Sequence, residues 1–364
     1  MTPPHAPPAP KSRTHARSRR PTPSGPSARP APAPAWLLRC APGLSRLLQA
    51  ELRHRKLLRS GARTDVLWQR NHDLVFLPHL ARAPAPGELR LAEDVARCPI
   101  YGRYKITAAQ VDRLAQALHA AGGGPWRLVV TAEGRHFNRH DLRRHLAREL
   151  GARGVKLRDD AARSVFIYCV DQAYYAAVPA QDAGEAPGRD LRRRERAGSL
   201  PPSIAAALAF LGKPRDDDVI LDPVCGSGTL LAEAAALAPG AELHGRDLDR
   251  AAIKAARANL PELSSGSLTT GDARELDLTP GRVTLVLANL PFGKQFGDAE
   301  ETPALYAEVL AEMVRLGAPS GWRAVLLASD AEAVTAAARP LGLTVTRQVP
   351  LRVRGEPATI LHLT

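Results

Sequence analysis

Between residues 219 and 229 an apolar strand, Val219-Ile220-Leu221, runs into Asp222-Pro223-Val224-Cys225-Gly226-Ser227-Gly228-Thr229, and an Ala/Leu-rich helical stretch follows. Gly226 and Gly228 lack side chains, so the backbone can turn sharply and a ligand can come close. The start of the next helix offers unpaired N–H groups to a carboxylate or phosphate. Spacing argues against two common ligand classes. No Lys-Ser/Thr pair follows the glycines, as a phosphate-cradling loop requires, and Leu231 stands where a dinucleotide fingerprint has its third glycine. Asp247 ends the next apolar stretch, 25 residues after Asp222. An acid there accepts hydrogen bonds from ribose hydroxyls. Asp272 follows a third short strand and can face an adenine amino group. Together these acids, at successive strand ends, outline a site for adenosine.

The loop Asp222–Thr229 resembles the D-P-x-C-G-S-G-T cofactor loop of class I methyltransferases that act on RNA amino groups. The resemblance implies S-adenosylmethionine, with Asp247 on the ribose and Asp272 on the adenine. Asp222, Cys225, Gly226, Gly228, Thr229, Leu248, Ala273 and Asn289 complete the expected cofactor set.

A second constellation, Asn289-Leu290-Pro291-Phe292-Gly293, follows the apolar run Val283–Ala288. Strand ends of this kind are where such sheets bind ligands. An exocyclic amine conjugated into its ring is a poor nucleophile until it pyramidalises. A side-chain amide oxygen and a backbone carbonyl that accept its two protons supply both alignment and polarisation. Asn289 and the Leu290 carbonyl are placed to do so, with Phe292 to stack on the base. The stretch resembles the N/D-P-P-Y/F motif of amino-methyltransferases, with Leu290 in place of the first proline. Its extension, Gly293-Lys294-Gln295-Phe296-Gly297, resembles members that make N2-methylguanine in RNA. No cysteine nucleophile stands here, which argues against methylation at C5 of a pyrimidine.

The chain has a net charge of +13, with 43 Arg against 7 Lys. That balance points to a polyanionic partner, although Arg, Ala and Pro usage also reflects GC-rich coding. Arg127–Arg143, the helix after it and the strand Val165–Val170 resemble a THUMP domain, and Cys40-Ala-Pro-Gly43 resembles the ferredoxin-like unit that precedes one. This resemblance implies docking on tRNA, at the 3′ end and acceptor region, or on rRNA. Arg139, Arg143, Arg144 and Arg148 form a basic helix stripe for phosphates, with Arg135 before it and Arg192 and Arg193 in a later basic run.

These residues need a scaffold to hold them. Residues 1–35 hold 11 of the 32 prolines and six positive charges with no acid, which suits a disordered basic tail. Residues 36–98 read as a ferredoxin-like α+β unit, with a strand at 36–40, a helix from Leu44 and short strands at 66–68 and 74–77. Residues 99–182 form the THUMP-like unit, with helices at 106–121 and 142–150 and strands at 126–132, 165–170 and 173–178. A linker covers 183–202, and Leu200-Pro201-Pro202 resembles the segment that packs over the cofactor. From 203 to 364 strand and helix alternate, with strands at 219–221, 243–245, 283–288 and 323–328. Segments 343–349 and 358–363 close it as a hairpin. The expected fold class is α/β: a Rossmann-like methyltransferase domain with a parallel sheet and terminal antiparallel hairpin.

Cys40, Cys98, Cys169 and Cys225 stand far apart, so neither a metal site nor a disulfide framework is expected and a reducing, cytoplasmic setting suits them. No apolar run is long enough to span a membrane. The expected activity is methyl transfer from S-adenosylmethionine to N2 of a guanine in structured RNA, with position 6 of a tRNA acceptor stem favoured. A guanine in 23S rRNA is the alternative target. An RNA-binding protein with a non-catalytic methyltransferase domain is the alternative of another class.

Overall fold

Two sheets carry the molecule. The computed structural model describes residues 35–69, 71–122, 124–180, 199–264, 266–291 and 302–364. Phe292, Arg192, Arg193, residues 1–34 of the tail and most of the linker lie outside the described residues.

The first sheet comprises β1 (Ala35–Cys40), β2 (Asp65–Trp68), β3 (Asp73–Leu77), β4 (Asp94–Cys98), β5 (Tyr101–Arg103), β6 (Trp126–Glu133), β7 (Arg163–Val170) and β8 (Ala173–Pro179). Its order is β2-β3-β1-β4-β8-β7-β6, with β5 also on β8. The β4–β8 pairing joins the two expected N-terminal units into one sheet across residue 98. Alternation along β1 sends Trp36, Leu38 and Cys40 to one face and Ala35 and Leu37 to the other. Helix α1 (Ser45–His54) packs on the first of these faces, and α2 (Ala108–Ala120) and α3 (Arg139–Ala152) pack against β6 and β7.

The opposite face fills itself. Phe76 on β3 and Tyr175 on β8 lie three strands apart, about 14 Å on a flat sheet. Their ring centroids are 5.0 Å apart, so the sheet curls onto this face.

The second sheet has the order β11-β10-β9-β12-β13-β15-β14. It comprises β9 (Val219–Asp222), β10 (Glu242–Asp247), β11 (Leu268–Thr270), β12 (Leu285–Asn289), β13 (Arg323–Ala328), β14 (Val345–Val353) and β15 (Glu356–Leu363). β9 to β13 run parallel, and β15 is antiparallel to both β13 and β14. Chain order reverses between β9 and β12, which opens a crevice above their C-terminal ends. The associated helices are α4 (Pro202–Gly212), α5 (Thr229–Leu237), α6 (Arg250–Asn259), α7 (Thr302–Leu316) and α8 (Ala331–Ala338).

Helix α4 is buried on almost every side. Its residues share one core with α1, with Leu89 to Ala92, with the second sheet and with Leu351 and Val353 of β14. Polar contacts add to this joint. Arg90 Nε meets Glu233 of α5 at 2.5 Å, and the Ser203 hydroxyl donates to Glu93 at 3.1 Å. The turn at Gly43 (φ +91°) sits so close to β14 that a Cβ there would lie 2.4 Å from the Pro350 carbonyl oxygen.

Candidate active site

The glycine loop lies at the crevice, between the end of β9 and the start of α5. Gly226 and Gly228 have φ of +54° and +81°, which only glycine adopts without strain. A Cβ on Gly228 would also come within 2.9 Å of Leu260. The loop is pinned by the crossing that follows it. The Cys225 N–H donates to the Arg246 carbonyl at 2.7 Å, and the Gly226 N–H donates to Asp247 Oδ2 at 2.8 Å. Asn259, at the end of α6, donates from Nδ2 to the Ser227 carbonyl at 3.0 Å. Thr229 opens α5, its hydroxyl 3.5 Å from that of Ser227.

The electrostatics of this corner favour a cation. Asp222 is fully buried, and burial, with the charge of Asp247 second, pushes its carboxyl well above the usual carboxylate range. Among the described residues neither acid has an ion-pair partner. Asp247 Oδ1 also accepts the Asp249 N–H at 2.9 Å, which leaves lone pairs on both oxygens. Leu248 beside it is 68% exposed, which leaves its side chain free to cover a flat ring.

Two expected cofactor residues are already engaged within the fold. The Cys225 side chain is buried under the loop in the shared core, so only its backbone can face a ligand. Asp272 holds Arg274 through both oxygens, at 2.7 to 3.1 Å, so an adenine amino group there would share an occupied carboxylate. Ala273 is buried next to it.

Asn289 ends β12, beside β9 in the sheet. Its Oδ1 is buried and, among the described residues, has no hydrogen-bond partner. A buried unpaired acceptor costs about 1–3 kcal/mol, so its retention marks a place where a donor arrives. The following turn is held at two points. The Leu290 N–H donates to the Leu327 carbonyl at 2.9 Å, and its side chain is buried to 1%. A proline at 290 could not make that bond, so leucine replaces ring rigidity with a hydrogen bond and an apolar anchor. The Pro291 carbonyl accepts the Tyr306 hydroxyl at 3.1 Å.

Sequence reasoning missed Tyr306 and Asn259, whose roles come from tertiary contact. Asp249 carried a signal, as an N-cap residue one position before α6.

On the first sheet's flank, Arg135 and Arg139 are exposed. Arg143 pairs with Asp159 and donates to the Leu128 carbonyl at 3.2 Å, and Arg144 pairs with Asp141 at 2.9 Å. The expected basic stripe is thus partly neutralised within the fold. Among the described residues no cluster of His, Cys, Asp and Glu is arranged to hold a metal ion, and no helix is long and apolar enough to cross a membrane.

Strand order, glycine loop and the amide turn at the end of β12 define a class I methyltransferase. Residues 189–353 match the family model of the RMKL-like methyltransferase domain. The chain is 32% identical over 255 residues to the tRNA (guanine(6)-N2)-methyltransferase of Thermus thermophilus, a match covering 66% of this chain and 76% of that protein. The crystal structure of TrmN from Thermus thermophilus superimposes with a TM-score of 0.70 at 26% identity, covering 90% of this chain and 99% of that one. The mouse tRNA (guanine(6)-N(2))-methyltransferase THUMP3 is 30% identical over 170 residues, 42% of this chain. The matched stretch spans only 34% of the mouse protein. The chain belongs to the family of tRNA guanine-N2 methyltransferases.

Proposed function

We propose that this protein transfers a methyl group from S-adenosylmethionine to N2 of a guanine in structured RNA, with position 6 of a tRNA acceptor stem as the favoured target. The observation that carries this reading is the buried, unpartnered Asn289 Oδ1 at the crevice edge, beside the strand that leads into the glycine loop. The neighbouring acids Asp222 and Asp247, with no ion-pair partner among the described residues, fit the positive charge of the cofactor, whose arrival would favour the ionised form of Asp222. Gly226, Gly228 and Thr229 would hold its amino-acid end, with Asp247 and Leu248 around its nucleoside. When bound, the cofactor supplies an electrophilic methyl on a sulfonium.

The chain's own residues do the rest. Asn289 Oδ1 accepts one hydrogen of the guanine amine and the Leu290 carbonyl accepts the other, which turns the nitrogen lone pair outward. The Leu327 and Tyr306 hydrogen bonds hold the backbone on either side of the Leu290 carbonyl, which limits the reorganisation needed as charge develops. The target guanine must leave its stack to reach them. Residues 36–98 and 99–182 serve as the ferredoxin-like and THUMP-like RNA-docking units, with Arg135 and Arg139 presented to phosphates.

The test is incubation with labelled S-adenosylmethionine and unmodified tRNA or rRNA, followed by mass spectrometry of nucleosides. N2-methylguanosine from tRNA, absent with Asn289→Ala, is the expected result. Product from 23S rRNA alone would move the target, and no product despite cofactor binding would favour a non-catalytic RNA-binding role.

A further inference from the structure

Arg354 and Gly355 make the two-residue turn between β14 and β15, with Val353 paired to Glu356. Their φ values are 52° and 92°. Two successive left-handed residues are what the tight hairpin turn demands, and Asn-Gly is the pair that meets it without strain. An arginine in that position is unfavourable for the backbone, and such strain persists where the side chain is put to use. The turn does not need it: Arg352 Nη1 already donates to the Gly355 carbonyl at 2.8 Å.

The Arg354 side chain reaches away from the hairpin. Its Nη2 donates to the carbonyl of Ser199 at 2.9 Å. The Ser199 hydroxyl lies 3.2 Å from that of Ser227, in the middle of the glycine loop. Leu200, next in the chain, is buried in the same core as Cys225, Leu230 and Leu231. The Arg246, Asp247 and Asn259 clamps on the loop come from the β10–α6 crossing within the methyltransferase sheet. Arg354 instead supports a clamp that approaches from outside it, through Ser199.

We propose that Arg354 is a positioning residue for the cofactor: it holds Ser199 on the glycine loop and so presets the loop for the adenosyl ligand. This rests on the cofactor reading above. Arg354 touches no reacting atom and acts through Ser199 and Ser227.

The experiment titrates the full-length chain with S-adenosylhomocysteine by calorimetry and measures ligand-free thermal unfolding, for wild type, Arg354→Asn, Arg354→Lys and Ser199→Ala. Asparagine relieves the turn, so Arg354→Asn is expected to unfold at the same or a higher temperature. It is nevertheless expected to bind the ligand about tenfold more weakly, the effect of one lost charge-assisted hydrogen bond. Arg354→Lys recovers part of the affinity. Ser199→Ala loses affinity, and combining it with Arg354→Asn adds little, because both break one chain of contacts. Wild-type affinity in Arg354→Asn overturns the inference alone. So does a parallel loss of affinity and thermal stability, which would make Arg354 an ordinary structural residue. A wild-type chain that binds no S-adenosylhomocysteine overturns the cofactor reading and this inference with it.

Discussion

The Tyr306 hydroxyl, on helix α7, donates to the Pro291 carbonyl at 3.1 Å. The tyrosine is fully buried, so this bond ties the turn after Asn289 to the core beneath it. Tyr306→Phe keeps the ring and leaves that carbonyl unpaired, at a cost to stability of about 1–3 kcal/mol. We expect kcat to fall about tenfold, since a 1 Å displacement of the acceptors suffices for a loss of that order or more, with RNA affinity unchanged. Steady-state kinetics and RNA binding measured side by side decide it; equal losses in both would contradict the assignment.

Removing the Asn289 amide should separate activity from stability. Asn289→Ala deletes the proposed acceptor for a guanine hydrogen and is expected to lower kcat by about 100- to 1000-fold. The same change deletes a buried oxygen without a partner, so the ligand-free protein should unfold no earlier than wild type. A variant that loses activity only by melting near the assay temperature would speak against a catalytic role.

Glu51 on α1 is buried and accepts the backbone N–H groups of Arg90 and Leu91 at 2.9 and 3.1 Å. Burial outweighs these bonds and pushes its carboxyl up from the ordinary 4.5 to about 7. Between those values the folded state keeps a proton that the unfolded chain has released. The contribution is therefore complete below pH 4.5 and is lost as pH rises through 7. It amounts to about 3 kcal/mol. Denaturation curves between pH 5 and 8 should show wild-type stability falling faster with pH than that of Glu51→Gln. Matching slopes would refute the raised value.

Exposed and paired arginines should differ in how RNA binding responds to salt. Arg135→Ala and Arg139→Ala should each flatten the slope of log K against log salt by about one, if each neutralises one phosphate. Arg143, already satisfied by Asp159 and the Leu128 carbonyl, should change the slope less. Binding to a tRNA transcript over a series of salt concentrations reads this directly.

Local signals made much of the second sheet legible. The strand at Arg323–Ala328 and the glycine loop follow from apolar runs and glycine spacing over a few residues. Helix α3 begins three residues earlier than its apolar pattern suggested, at Arg139 rather than Leu142, because Asn138 caps the N–H groups of His140 and Asp141. β4 and β5 escaped notice. Arg97 and Tyr101 break any apolar run there, and these strands exist through pairing with β1 and β8, far away in sequence. The site divides in the same way. Asn289, Asp247 and Leu248 stand at strand ends that the sequence marks. Tyr306, Asn259 and Arg354 reach the site from other elements, and only the folded chain brings them there.

Helix α4 presents almost no face to solvent, and its cover comes from both halves of the chain. The catalytic half is therefore no interchangeable cassette. Cutting before Pro202 would strip α1 and the segment around Leu91 from it and leave an apolar surface that invites aggregation. Grafting on a foreign RNA-binding half would require a glycine where Gly43 meets Pro350, and an apolar surface shaped to this helix. On the proposed RNA-docking reading, a change of RNA target is thus more accessible through substitutions on the outer surface of the first sheet and its helices than through exchange of the whole first half.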